Sequence, residues 1–308
     1  MDEREELLEE LRPQAFAIAY RMVGTVTEAE DLVQESLLRL HTALERGERI
    51  DSPRAYVATV VTRLGIDELR SARHRRETYV GDWLPEPLLT GGTEDPEAHA
   101  EMADSLSMAF LLLLESLTPE QRAAFLLREV FDYPYDRVAE IIGTSEANAR
   151  QLAARARGHV ASGRGRFEAS RERGEELADR FMAAVERGEL ADLEAMLAKD
   201  VVLRGDGGGK VPALARALHG ARRVAKTLAA WGRVARRVDV NWERVEVNGQ
   251  AGVLTRDPEG GVISVLALDV ADGRIQGISS VVNPDKLRHV GPLGDPRRLL
   301  RAQAGDGR

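Results

Sequence analysis

Along the first 76 residues, apolar positions recur with a helical period. Val33, Leu37, Leu40 and Leu44 follow the i, i+4, i+7, i+11 pattern of a core-facing stripe. Thr27 predicts the N-cap of that helix. Glu28, Glu30 and Asp31 then fall in its first turn, at the positive end of the helix dipole. Gly47 predicts its end. Asp51-Ser52-Pro53 predicts the next start, with Pro53 near the first helical position and Val57, Val60, Val61 and Leu64 as the buried stripe. Between 77 and 104 the period disappears. Gly81, Pro85, Pro87, Gly91, Gly92 and Pro96 exclude a continuous helix. Trp83, Leu84, Leu88 and Leu89 nevertheless give this linker enough apolar surface to dock on something.

Helical patterning returns from 105 to 160. Thr118-Pro119-Glu120 predicts a helix start, and Tyr135, Val138, Ala139 and Ile142 share one face of a further helix. Gly143-Thr144-Ser145 makes a short turn before a helix that buries Ala149, Leu152 and Ala156, which is the helix-turn-helix pattern. Residues 161 to 173 are a Gly-, Ser- and Arg-rich linker. From 174 onward, helices are expected at 175–187, 190–198, 211–218 and 220–231, with a strand at 200–204. Strands follow at 237–247, 250–256, 261–270 and 274–282. Asn248-Gly249 marks a two-residue hairpin turn, because both residues accept positive φ. The alternation Val238, Val240, Trp242 shifts phase to Val245, Val247, which predicts a β-bulge near Glu243-Arg244. Helices followed by an antiparallel meander define a separate α+β domain over 174–287. A mobile tail is expected over 288–308.

Composition narrows the chemistry. The 308 residues include no cysteine, so disulfides, thiolate zinc sites and thiol nucleophiles are excluded. The six histidines never fall at the spacing of a helical metal site, and no metal or cofactor is expected. The acidic start MDEREELLEELR and the short apolar runs point to a soluble cytoplasmic protein without a membrane partner. The net charge of −8 hides segregation. Residues 1–50 carry a net −6, whereas 54–76 and 143–173 each carry +4. Two basic helical stretches on an acidic chain suit two separate contacts with a phosphate backbone. In the second helix of the helix-turn-helix, Asn148, Gln151 and Arg155 form one exposed row flanked by Arg150 and Arg157. That is the chemistry of a base-reading helix held by phosphate contacts. Basic solvated faces and an ordinary helical hairpin are the competing readings.

Three further features carry chemistry. Asp31, Gln34 and Glu35 lie beside an apolar ridge and suit a basic, amphipathic partner helix. Asp206-Gly207-Gly208-Gly209-Lys210 fails as a phosphate loop, since Arg204 stands where Gly is required and Val211 where Ser or Thr is required. Its glycines instead permit a close backbone approach, and the expected partner is the Trp83–Pro87 linker. An acid–base enzyme is the rival class, with Asp206 or Asp269 as the carboxylate and only His219 and His289 as histidine partners in that domain. A helix-turn-helix regulator that binds DNA by itself is the other alternative.

Several segments resemble one family. EAEDLVQESLLRLHTALER (28–46) resembles the polymerase-binding helix of bacterial extracytoplasmic-function (ECF) sigma factors. IDELRSARHRRE (66–77) resembles their minus-ten recognition and melting segment, and 116–157 resembles their minus-thirty-five helix-turn-helix. WLPEP (83–87), DGGGK (206–210) and NPDKL (283–287) resemble signatures of the subgroup with a SnoaL-like C-terminal extension, of the nuclear-transport-factor-2-like class. The resemblance implies a multidomain chain: two all-α sigma domains at 1–76 and 105–160, followed by an α+β cone-shaped SnoaL-like domain with an antiparallel curved sheet. It implies RNA polymerase core (the clamp of the largest subunit and the flap of the second largest) and promoter DNA as partners. Polymerase contact then falls to Asp31, Gln34 and Glu35. Minus-ten contact falls to Arg63, Asp67, Arg70, Arg73, Arg75 and Arg76, although many members carry Asn where this chain has Arg63. Minus-thirty-five contact falls to Ser145, Asn148, Arg150, Gln151, Arg155 and Arg157. A regulatory contact is expected among Trp83, Leu84, Pro85, Glu86, Pro87, Asp206, Gly207, Gly208, Gly209, Lys210, Asn283, Pro284, Asp285, Lys286 and Leu287. A small ligand of the cone is an open possibility.

Overall fold

A computed structural model describes residues 3–91, 105–164 and 171–297; the side chains of 3, 72–77, 162–164, 171–173 and 175 lie outside the description. Its packing divides the chain into two units, Met1–Thr78 with Leu113–Gly163, and Tyr79–Leu112 with Arg164–Arg308. The first unit takes its opening three helices from the N-terminal third: α1 (Glu3–Val23), α2 (Val26–Glu45) and α3 (Pro53–Glu77). Helix α2 buries Val33, Leu37 and Leu40, as its stripe requires, together with Ala29 and Ala43. Its N-cap is Thr25 rather than Thr27. Thr25 holds the extended backbone of a cap, and its hydroxyl bonds the Glu28 carboxylate at 2.7 Å. Helix α3 starts at Pro53, where Ser52 accepts a bond from the Ala55 amide at 3.2 Å.

The second half of this unit follows α4 (Met108–Leu114). Helix α5 (Pro119–Phe125) opens on a capping box between Thr118 and Gln121, with Pro119 at the first position. A π-turn (Leu126–Val130) leads to α6 (Tyr135–Ile142) and α7 (Glu146–Arg164). Gly143 ends α6 with φ +71°, which sets the tight turn between the two helices. Val138, Ala139, Ile141, Ala149 and Ala153 close the small core of the pair.

The second unit contains α8 (Arg171–Arg187), α9 (Leu190–Met196), α10 (Ala221–Arg237) and six strands. These are β1 (Leu197–Asp206), β2 (Leu218–His219), β3 (Asn241–Val247), β4 (Gln250–Arg256), β5 (Val262–Ala271) and β6 (Arg274–Val281), in sheet order β2-β1-β6-β5-β4-β3. The curved sheet is mixed rather than wholly antiparallel, because β1 runs parallel to β6. No helix forms over 211–218. Pro212 lacks an amide to donate, and the segment runs irregularly with Leu214 and Leu218 packed on the core, ending in β2. The predicted bulge near Glu243-Arg244 is also absent. Strands β3 and β4 pair without a shift from Asn241↔Arg256 to Val247↔Gln250. The change of phase has another cause: Trp242 packs on the core formed with α8 and α10, while Val245 and Val247 face a second core on the other side of the sheet. Register shifts occur instead in β1 between Leu197 and Val202, in β4 beside Thr255 and in β5 at Asp269/Val270. The hairpin turn stands as expected, with φ +54° at Asn248 and +72° at Gly249.

Candidate functional site

The second core explains why the linker is apolar. Leu84 and Met108 are buried there with Val247, Leu254, Val265, Val281 and Leu287. Asp206, at the end of β1, is wholly buried and organises the contact. Its Oδ1 accepts from the Tyr79 hydroxyl at 2.5 Å and the Gly208 amide at 3.0 Å. Its Oδ2 accepts from the Leu84 amide at 2.9 Å and Lys286 Nζ at 2.7 Å. Lys286 also donates to the Leu84 carbonyl, and its ammonium lies 4.2 Å from the Trp83 ring centroid and 5.1 Å from that of Tyr79. Burial first, and the Asp206 carboxylate second, push the Tyr79 phenol well above its ordinary range, so its proton stays in the bond.

The glycines of the 206–210 loop serve this approach. A Cβ on Gly207 would stand 2.2 Å from the Val211 carbonyl. One on Gly208, where φ is +60°, would stand 2.3 Å from the Asn283 side chain. Asn283 donates to the Tyr79 hydroxyl at 2.9 Å, its amide reaches the Asp206 carbonyl at 3.0 Å, and Asp285 pairs with Lys210. WLPEP, DGGGK and NPDKL are thus one constellation, in which Pro85, Glu86 and Pro87 are also buried.

A second clamp was not legible in the sequence. Asn248 is fully buried. Its Oδ1 accepts from the Leu88 amide at 2.9 Å, its own amide donates to the Leu88 carbonyl at 2.7 Å, and its Nδ2 donates to the Leu106 carbonyl at 3.0 Å. Thr90 binds the Glu246 carboxylate at 2.6 Å, and His289 bonds the Pro87 carbonyl at 2.8 Å. The hairpin tip therefore holds the linker like a short added strand, with Leu89 bridging Val247. Asp269 supports the same face. It is buried and accepts from the Ala109 amide, while its Oδ1 has no partner among the described residues. Burial, opposed by the Ala109 bond and Arg204, raises its carboxyl to about 6.

In the helical unit, Asp31, Gln34 and Glu35 lie on the outer side of α2, with Glu35 paired to Arg39 at 2.7 Å. Leu38, which falls off the buried stripe, is 56% exposed one turn further on. Arg63 donates to the carbonyls of Ile141 (2.8 Å) and Glu140 (2.9 Å), the negative end of α6. Arg70 binds Glu120 at 2.7 Å and Asp67 at 3.2 Å. Arg122, completely buried, donates to the Arg21 carbonyl at 2.8 Å and to Glu115 at 2.6 Å; burial lowers its guanidinium to about 9. The side chains of Arg73, Arg75 and Arg76 lie outside the described residues.

Ser145, just before α7, and Asn148, Gln151 and Arg155 on it are exposed. Ser145 accepts from the Asn148 amide at 3.3 Å. The Asn148 side chain donates to the Thr144 hydroxyl at 2.8 Å. Arg150 is paired with Glu146 and lies 4.4 Å over the Tyr135 ring; Arg157 reaches Glu129 at 2.6 Å. The carboxylates considered for catalysis, Asp206 and Asp269, both belong to the linker side of the sheet, and neither lines the interior cavity of the cone.

These elements define a two-part helical protein of the sigma-70 type fused to a SnoaL-like fold. The sigma-70 region 2 family matches residues 7–75, and the sigma-70 region 4 family matches residues 107–160. The chain is 39% identical over 310 residues to the ECF RNA polymerase sigma factor SigJ of Mycobacterium tuberculosis, covering 97% of each chain. It is 32% identical over 293 residues to the probable ECF RNA polymerase sigma factor SigI of the same species, covering 94% of this chain and 93% of that one. The crystal structure of M. tuberculosis SigJ superposes with a TM-score of 0.74 at 36% identity, over 94% of this chain and 99% of that one. The chain belongs to the ECF RNA polymerase sigma factor family.

Proposed function

We propose that this protein directs core RNA polymerase to a set of promoters and starts transcription there, and that its cone domain restrains that activity in cis. The exposed face of α2, with Asp31, Gln34 and Leu38, is the surface for the polymerase clamp. The row Asn148, Gln151 and Arg155 is the surface for the upstream element. One observation carries the restraint: Arg63 and Arg70, two cations of the minus-ten helix, are engaged by residues of the upstream-reading half, Glu140, Ile141 and Glu120. A surface occupied in this way is not free to hold promoter phosphates. Opening requires the two halves to separate, and the 79–91 segment between them is held by the Asp206 and Asn248 clamps. The cone then acts as a brake by shortening the free reach of the linker.

The role of the cone is regulatory rather than enzymatic. Asp206 has four hydrogen-bond donors and is committed to holding the linker. The test is a pull-down with core polymerase followed by transcription from a promoter library. Full-length protein yields transcripts from a defined promoter class, and Asp31→Ala with Gln34→Ala lowers both core binding and transcription. DNA footprints without polymerase, combined with no transcription in its presence, refute the proposal.

A further inference from the structure

The cone holds a partly open cavity of about 360 Å³ between α8, α10 and the inner face of the sheet. It falls within the size range of small-molecule sites and has room for about a dozen water volumes. Phe181, Leu228, Trp231, Trp242 and Leu266 supply apolar walls. None of its lining residues is Asp, Glu, Lys, Arg or His. Polar groups converge from the strands: the hydroxyls of Thr255, Ser264 and Ser280, and the indole of Trp242, whose buried N–H has no protein acceptor among the described residues. A purely structural core would be filled at crystal-like density, and a gap of this size forfeits contact energy along its whole wall.

We propose that this cavity is a binding site for one uncharged, largely apolar small molecule that carries a hydrogen-bond acceptor. The chemistry of the wall sets the class. An ion would be stripped of water with no counter-charge to meet it, so charged ligands are rejected. Apolar rings or chains gain burial against the aromatic and aliphatic walls, and an acceptor oxygen meets the hydroxyl and indole donors of β3 to β6. No acid or base lines the chamber, so the molecule is bound and not transformed by proton transfer. The position of the site gives binding a consequence. Gly205, Pro212, Ala213 and Leu214 form a wall shared with the cleft that holds Val80 and Gly81 at the start of the linker. The binding site itself does not rest on the proposed transcriptional role.

The test is a fluorescence titration of the full-length protein with the neutral naphthalene ketone prodan. Its anionic relative 1-anilinonaphthalene-8-sulfonate is run alongside. Two variants fill the cavity from opposite walls, Ala235→Phe from α10 and Ser264→Leu from β5. Each is checked for native circular dichroism and melting, and Thr255→Val serves as a near-isosteric variant that keeps the fold. The site predicts saturable prodan binding at one per chain and at least tenfold weaker binding of the anionic dye. It also predicts at least a tenfold loss of prodan affinity in whichever filled variant folds. In Thr255→Val, which removes one of the donors, prodan still binds at one per chain with about three- to tenfold lower affinity, the loss of one hydrogen bond, and the preference over the anionic dye remains. Absence of saturable prodan binding overturns the proposal. So does equal affinity for the anion, or undiminished prodan affinity in a folded filled variant.

Discussion

Replacing Asp206 with Ala removes the centre of the linker clamp while leaving the strand that carries it. Four donors lose their acceptor at once: the Tyr79 hydroxyl, the amides of Leu84 and Gly208, and the Lys286 ammonium. Lys286 is 5% exposed and Asp206 is 0% exposed, so the ammonium stays inside the protein beside the Leu84 carbonyl and the faces of Trp83 and Tyr79, without the Asp206 carboxylate. Breaking a buried ion pair by deleting one partner costs about 3–5 kcal/mol. Release of residues 79–84 exposes Lys286 to water and relieves that cost, so the penalty falls on the clamp rather than on the whole fold. Native-state hydrogen exchange of the Leu84 amide measures it directly. The exchange rate should rise on the order of 100- to 1,000-fold, since each 1.4 kcal/mol is a factor of ten. Combining Asp206→Ala with Lys286→Met removes both charges, and the loss should fall well below the sum of the two single losses. A folded Asp206→Ala protein whose Leu84 amide exchanges at the wild-type rate would rule out Asp206 as the centre of the clamp.

Three other outcomes are expected. The fold keeps Asp269 protonated up to about pH 6 against an ordinary value of 3.8, so it disfavours the ionised form. Stability from this group is complete below pH 4 and is lost as the pH climbs through 6. At roughly 1.4 kcal/mol per pH unit the loss reaches about 3 kcal/mol. In urea titrations Asp269→Asn should therefore gain on wild type between pH 4 and 6 and hold that gain above; a pH-independent difference contradicts the assignment. Asn248→Gly keeps the positive φ of the hairpin turn but removes the side-chain bonds to Leu88 and Leu106. It should weaken linker protection by about 1–3 kcal/mol in exchange experiments while the β3–β4 amides stay protected. Gln151→Ala and Arg155→Ala should each cut discrimination between promoter upstream elements by about 1–3 kcal/mol in transcription competition, and Arg155→Ala alone should also reduce the salt dependence.

Local features were the legible ones. The helix-turn-helix, the α2 stripe, the start of α3 and the Asn248-Gly249 turn all depend on residues within a few positions of one another, where periodicity and capping speak directly. The apolar linker announced a partner through Trp83 and Leu84. The 206–210 glycines announced a close approach. Partners distant in sequence were less visible. Tyr79 and Asp206 are 127 positions apart, and Asn248 and Leu88 are 160 apart. A buried Asn in a turn reads from sequence as a surface residue. The irregular path of 211–218 and the parallel β1–β6 pairing are set by tertiary packing that overrides local preference. The phase change in β3 shows the same limit: two cores, one on each face of a strand, look like a bulge when only the alternation is read. The hydrogen bonds of Arg63 to the end of α6 depend on a packing of two helical segments nearly 80 residues apart.

The proposed restraint requires the minus-ten helix and the upstream-reading half to part before transcription begins. The chain has no cysteine, so an Arg63→Cys, Glu140→Cys protein carries only the two thiols placed across the Arg63 contact. A reducible bismaleimide linker joins them, and the joined protein is added to core polymerase with promoter DNA. Little or no transcript is expected from the joined form, with recovery to the level of the unjoined variant once the linker is cleaved. Equal transcription from the joined and cleaved forms would contradict it.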